Sequence, residues 1–86
     1  MSNFGSERSR MEILAEILEI CRKPTAKTRI IHKTSMSDAD LHMLIRQLLK
    51  PKLLLEFGNH VKKFVTTEKG LEFIEKQNAL VELLNP

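Results

Sequence analysis

Aromatic residues are scarce in this 86-residue chain: there are four Phe and neither Trp nor Tyr. That scarcity argues against binding single strands by base stacking, which uses aromatic platforms. A single cysteine, Cys21, leaves no internal disulfide to form and nothing to suggest an oxidising compartment. No apolar run approaches the ~20 residues of a membrane span, and the amino terminus lacks a signal peptide's apolar core. No glycine-rich phosphate loop, nucleophile–base pair or paired catalytic carboxylates can be made out, so an enzyme is not expected. His32, His42, His60 and Cys21 match no zinc spacing, and a packed thiol with exposed histidines is the simpler reading. Neither a metal, another cofactor nor a small-molecule substrate is expected. What remains is one soluble intracellular domain, and a chain this short gains stability from an extra interface.

Positive charge is plentiful and unevenly placed. Residues 22–63 hold ten basic side chains against Asp38, Asp40 and Glu56, a net +7, whereas residues 1–21 and 64–86 are each −2. The overall +3 therefore conceals a basic middle between two mildly acidic, helix-patterned ends. A concentrated basic zone raises the local density of a polyanion and steers its approach. Charge placement thus points to a nucleic-acid-binding module with separate parts for assembly.

The apolar spacing divides the chain. Residues 1–8 are small, polar and unpatterned, as in a frayed tail. Ser9 followed by Glu12 fits a capping box, after which Ile13, Leu14, Ile17, Leu18, Ile20 and Cys21 recur at helical spacing. Pro24 ends this first helix. Thr25 is expected to cap a short second helix reaching about Lys33, with Ile30 and Ile31 turned inward. Ser37 with Asp40 resembles a second capping box, and Leu41, Leu44, Ile45, Leu48 and Leu49 then define one buried stripe closed by Pro51. Strand-favouring runs over residues 52–57 and 61–66 flank Gly58-Asn59 and predict a β-hairpin. Thr67 can cap a last helix running to about Leu84. The plan is mainly α with a small β-hairpin: a winged helix-turn-helix with an added C-terminal helix. The expected division is a disordered tail at 1–8, the winged domain at 9–66 and a dimerisation helix at 67–86.

Residues 27–33 (KTRIIHK), Ser35-Met36-Ser37, Leu41 with Leu48-Leu49, Gly58-Asn59 and Thr67-Glu68-Lys69-Gly70 together carry a resemblance. The chain resembles the archaeal winged helix-turn-helix proteins regarded as predicted transcriptional regulators. Their relatives include small, abundant DNA-binding proteins of chromatin type that dimerise through an antiparallel coiled coil. The similarity covers about residues 9–84, and the starts of the second and last helices are its most specific parts. It implies a double-stranded-DNA-binding homodimer, a regulator or chromatin-type protein, cytoplasmic and nucleoid-associated. There are two departures. Lys52 stands where the family usually has a glycine, and a left-handed lysine there would cost roughly 1 kcal/mol. Asp38 and Asp40 open the third helix, where relatives tend to carry neutral or aromatic residues.

If the third helix enters the major groove, the face opposite its leucines does the reading. That face offers Ser37, His42, Arg46 and Lys50 beside Asp38, Met43 and Gln47. The Arg46 fork matches the two acceptors of guanine, and Gln47 could pair with adenine; the plainer reading of Arg46 and Lys50 is that they are solvated. Lys27, Arg29 and Lys33 sit on or beside the second helix, which would lie across the backbone. Asn59, Lys62 and Lys63 decorate the wing with His60, and strand alternation sends the two lysines to opposite faces. In the last helix Leu71, Ile74, Asn78 and Val81 follow a coiled-coil seam, the expected dimer contact, while Phe73, Leu80 and Leu84 form a second stripe. One stripe can close over the chain's own core while the other meets a partner. The alternative is a winged-helix protein-interaction module with little DNA affinity, favoured by the acidic and apolar patch of Asp38, Asp40 and Met43. An RNA-binding winged helix is a third, weaker option.

Overall fold

A computed structural model of the chain describes residues 10–84. Its elements run α1 (Arg10–Ile20), β1 (Thr25–Ala26), α2 (Lys27–Thr34), α3 (Asp38–Leu49), β2 (Leu54–Phe57), β3 (Lys63–Thr66) and α4 (Glu68–Leu84). The tail expected at 1–8 and the cap expected at Ser9 lie outside the described residues. The helix, helix-turn-helix, hairpin and long helix of the winged plan all form.

Helix α1 buries Ile13, Leu14, Ile17 and Leu18, as its spacing requires. It ends short of Pro24, with the Cys21 amide still donating to the Ile17 carbonyl at 3.1 Å. Thr25 does not cap α2. Ala26 holds the N-cap position without a side-chain bond, and Thr25 instead pairs with Phe64 in β1. Its hydroxyl donates back to the Lys23 carbonyl at 2.6 Å. A β-branched residue suits a strand, and a two-residue strand is too short to leave a period in the sequence. The hairpin thereby becomes a three-stranded antiparallel sheet in the order β1-β3-β2.

Ser37 caps α3, its hydroxyl accepting from the Asp40 amide at 3.1 Å. At the other end, the Leu53 amide donates to the Leu48 carbonyl and the Lys52 amide to the Leu49 carbonyl, both at 3.0 Å. This is the bond pair of a Schellman ending, whose left-handed position usually belongs to glycine. Lys52 occupies it with φ 62°. Both wing strands are shorter than predicted, because residues 52–53 belong to this helix ending and 61–62 to the hairpin loop. Gly58 opens that loop at φ 110°, where an added Cβ would lie 2.3 Å from the Val61 carbonyl oxygen.

The segment Thr67-Glu68-Lys69-Gly70 clamps α4 onto the α3–β2 turn. The Thr67 hydroxyl accepts from the Gly70 amide at 3.0 Å and donates to the Lys52 carbonyl at 2.8 Å. Lys69 donates to the Pro51 carbonyl at 3.0 Å. Gly70 packs so closely that a Cβ would fall 2.3 Å from the Leu53 carbonyl oxygen. One core results, joining the apolar face of α1 to Ile30, the α3 stripe, Leu54, Phe64 and Ile74. Buried Thr66 ties sheet to helix, its hydroxyl donating to the Leu18 carbonyl at 2.6 Å. Cys21 is wholly enclosed, and burial pushes its thiol pKa up to about 12.

Candidate nucleic-acid interface

With Leu41, Leu44, Ile45 and Leu48 buried, α3 leaves His42, Met43, Arg46, Gln47 and Lys50 exposed on its outer face. A concavity of about 420 Å³ lies between α3 and the wing, and Lys27, His42, Arg46 and Lys62 all line it. Three separate pieces of chain thus bring four of the predicted residues together. Arg46 also borders the opposite flank of α3, beside Met43, Gln47 and Lys50. Arg29 and Asn59 are exposed but line neither depression. Ser37 stands at the head of the face, with its hydroxyl engaged as the helix cap.

The sheet register decides between the two wing lysines. Phe64 is buried and pairs with Glu56, so Phe64 and Glu56 share the inner face. Lys62 lies on the same side and lines the concavity with both. Lys63 pairs with Phe57 and so belongs to the outer face, with Leu55 and Val65.

Lys33 lies elsewhere. It borders a different depression, beside Glu12, Glu16 and Glu19 of α1 and Asn78 and Val81 of α4. Six positions along a helix turn a side chain by about 240°, so Lys27 and Lys33 cannot share a face. Of the predicted dimer seam, Leu71 and Asn78 are exposed and Val81 is half-buried, whereas Ile74 is internal. Ile74 is 2% exposed and belongs to the chain's own core, with Asn78 and Val81 beside it along the groove that α4 forms with α1. The exposed leucines of α4 are Leu71, Leu80, Leu83 and Leu84, and Leu80 and Leu84 come from the second stripe.

Two features of the site escaped sequence reasoning. Lys27, the first residue of α2, forms a 3.1 Å ion pair with Asp38, the first residue of α3. The pair links the two helix starts and offsets the Lys27 charge, while Asp38 also suits the positive end of the α3 dipole. The available signal was that Asp38 is one of only three acids in the basic middle. Glu56, another of the three, stands inside the concavity among the cations. Among the described residues there is no cluster of three or more potential metal ligands, and no helix is long and apolar enough to cross a membrane.

Comparison with known proteins bears on the architecture. No match was found among curated protein sequences. Sso10a-2, a DNA-binding protein from Sulfolobus solfataricus, superposes with a TM-score of 0.82 at 25% identity, covering 88% of this chain and 81% of its own. A mutant of MepR from S. aureus, bound to an oligodeoxyribonucleotide, gives a TM-score of 0.73 at 13% identity over 91% of this chain. A mutant of ZitR from Lactococcus lactis gives 0.72 at 17% identity over 98% of this chain. The match spans 61% of each of the latter two chains, and at those identities they speak for the fold alone. The sequence pattern of the winged helix-turn-helix family matches residues 7–85, nearly the whole chain. With α2 and α3 as its helix pair and the β2–β3 hairpin as its wing, this chain belongs to the winged helix-turn-helix family.

Proposed function

We propose that this chain is a double-stranded-DNA-binding protein, a transcriptional regulator or small chromatin-type protein, that acts as a homodimer at the nucleoid in the cytoplasm. The observation that carries the reading is the meeting of Lys27, His42, Arg46 and Lys62 around the outer side of α3. The likeness to Sso10a-2 supports it. In this reading α3 enters the major groove, and Arg46, between the two flanks of the helix, contacts a base. Lys62, Lys50 and Arg29 hold phosphates, which set affinity and register without carrying sequence information. Lys27 contributes less, because Asp38 already offsets its charge. The dimer forms through the exposed leucines of α4, since a partner helix would cover Leu80 and Leu84.

Titration of labelled duplex at low and moderate salt, with molar mass measured alongside, tests the proposal. Binding at low micromolar protein that weakens steeply with salt, by a species of twice the chain mass, is expected. Absence of binding in low salt sinks it. Arg46→Ala should cost about 1–3 kcal/mol and change sequence preference if Arg46 reads a base, whereas an equal loss on all sequences reassigns it to phosphate. A protein-interaction module is the second reading, favoured by exposed Leu55, Phe57 and Val61 on the wing. Chemical-shift mapping that responds to a partner protein on that face, without duplex binding, would select it.

A further inference from the structure

The concavity between α3 and the wing holds more than cations. Its floor is apolar, made by Ile45 and Phe64, which are 3% and 4% exposed, and by half-buried Leu49. Arg46, Lys62 and Glu56 stand around that floor. Lys27 is already paired with Asp38, but among the described residues Arg46, Lys62 and Glu56 enter no ion pair. A volume of about 420 Å³ suits a small molecule, since such sites run to about 300–1,000 Å³. Glu56 is the informative residue. A carboxylate facing phosphate weakens the hold on DNA, so phosphate contact gives no reason for its position.

We propose that this concavity binds a small apolar α-amino acid, and that the bound molecule antagonises the duplex. The carboxylate of the ligand accepts hydrogen bonds from Arg46 and Lys62, and its ammonium donates to Glu56. The aliphatic side chain lies on Ile45, Leu49 and Phe64. A plain apolar acid would leave Glu56 to water, and a plain amine would leave both cations to water; a zwitterion complements both signs. The antagonism rests on the proposed DNA reading, because Arg46 and Lys62 serve both ligands. Binding of the amino acid does not rest on it.

The test is a titration of the full chain, followed in proton–nitrogen NMR correlation spectra, with L-leucine, isocaproate and isoamylamine as probes. Leucine should give saturable shifts centred on Ile45, Leu49 and Phe64, at least about tenfold tighter than either single-charge analogue, the margin expected of one charge-assisted contact. Glu56→Gln, a change at an exposed position whose folding the same spectra verify, should remove the advantage of leucine over isocaproate. No saturable shift at about ten millimolar, tenfold above a millimolar constant, overturns the site. So do shifts centred elsewhere, or isocaproate matching leucine on the unaltered chain. In a parallel anisotropy assay leucine should release labelled duplex from the unaltered protein but not from Glu56→Gln. Leucine that binds without releasing duplex overturns the antagonism. A chain that never binds duplex overturns the DNA reading instead, and the spectra alone then decide the amino-acid site.

Discussion

Lys62 and Lys63 are adjacent and equally charged, yet the wing turns them to opposite sides: Lys62 lines the concavity by α3, and Lys63 pairs with Phe57 on the outer face. Alanine at each position therefore asks which side of the wing meets DNA. Each phosphate contact contributes about 0.9 to the slope of log affinity against log salt. Lys62→Ala should lower that slope by about 0.9, which at tenth-molar salt is roughly an eightfold loss, a little over 1 kcal/mol. Lys63→Ala loses only its share of the general field, less than about twofold. Both side chains are exposed, so neither change should move the thermal midpoint appreciably. Fluorescence anisotropy with a labelled duplex at several salt concentrations gives slopes and affinities together. Equal losses, or a larger loss at Lys63, would mean that the outer face of the wing meets DNA, and the interface assigned to the concavity would be wrong.

Asp38→Asn should free Lys27 for phosphate, steepening the salt slope by up to about 0.9 while costing about 0.3–1 kcal/mol of stability at the α3 amino terminus; anisotropy and thermal melts read the two effects. Lys52→Gly relieves a left-handed lysine worth about 1–2 kcal/mol, against about 0.4–1 kcal/mol of added freedom in the unfolded chain. The net gain, roughly 0.8 kcal/mol at the middle of those ranges, should raise the melting midpoint by about 3–6 °C, with Lys52→Ala giving no such gain. The Cys21 thiol is raised from 9.0 to about 12 by burial, so the folded chain holds this proton more tightly than the unfolded chain does. Its contribution is therefore complete below pH 9 and is lost as pH rises toward 12. Melts of the unaltered protein should fall more steeply above pH 9 than those of Cys21→Ala.

Much of the architecture was legible in the residues because the rules that produce it are local. Apolar spacing marked α1 and α3, serine and threonine marked the starts of α3 and α4, and Gly58-Asn59 marked the hairpin turn. The left-handed position at Lys52 was foreshadowed only by the family resemblance, which implies glycine there; the helix ending that demands it shows in the structure. The third strand was not legible. Thr25 and Ala26 are ordered by pairing with Phe64 and Lys63, far along the chain, and two residues carry no period.

The candidate site divides in the same way. Its residue types and the excess of positive charge over residues 22–63 can be read from composition. Which of those side chains share a surface depends on helix rotation and strand register. Those separated Lys27 from Lys33 and Lys62 from Lys63, joined Lys27 to Asp38, and set Glu56 and Arg46 around one concavity. They also turned Ile74 into the core and left Leu80 and Leu84 outside. Periodicity marked two apolar stripes on α4; only packing against α1, with Gly70 pressed on the Leu53 carbonyl, decided that Ile74 of one and Phe73 of the other would face the chain's own core while Leu71, Leu80 and Leu84 stayed outside.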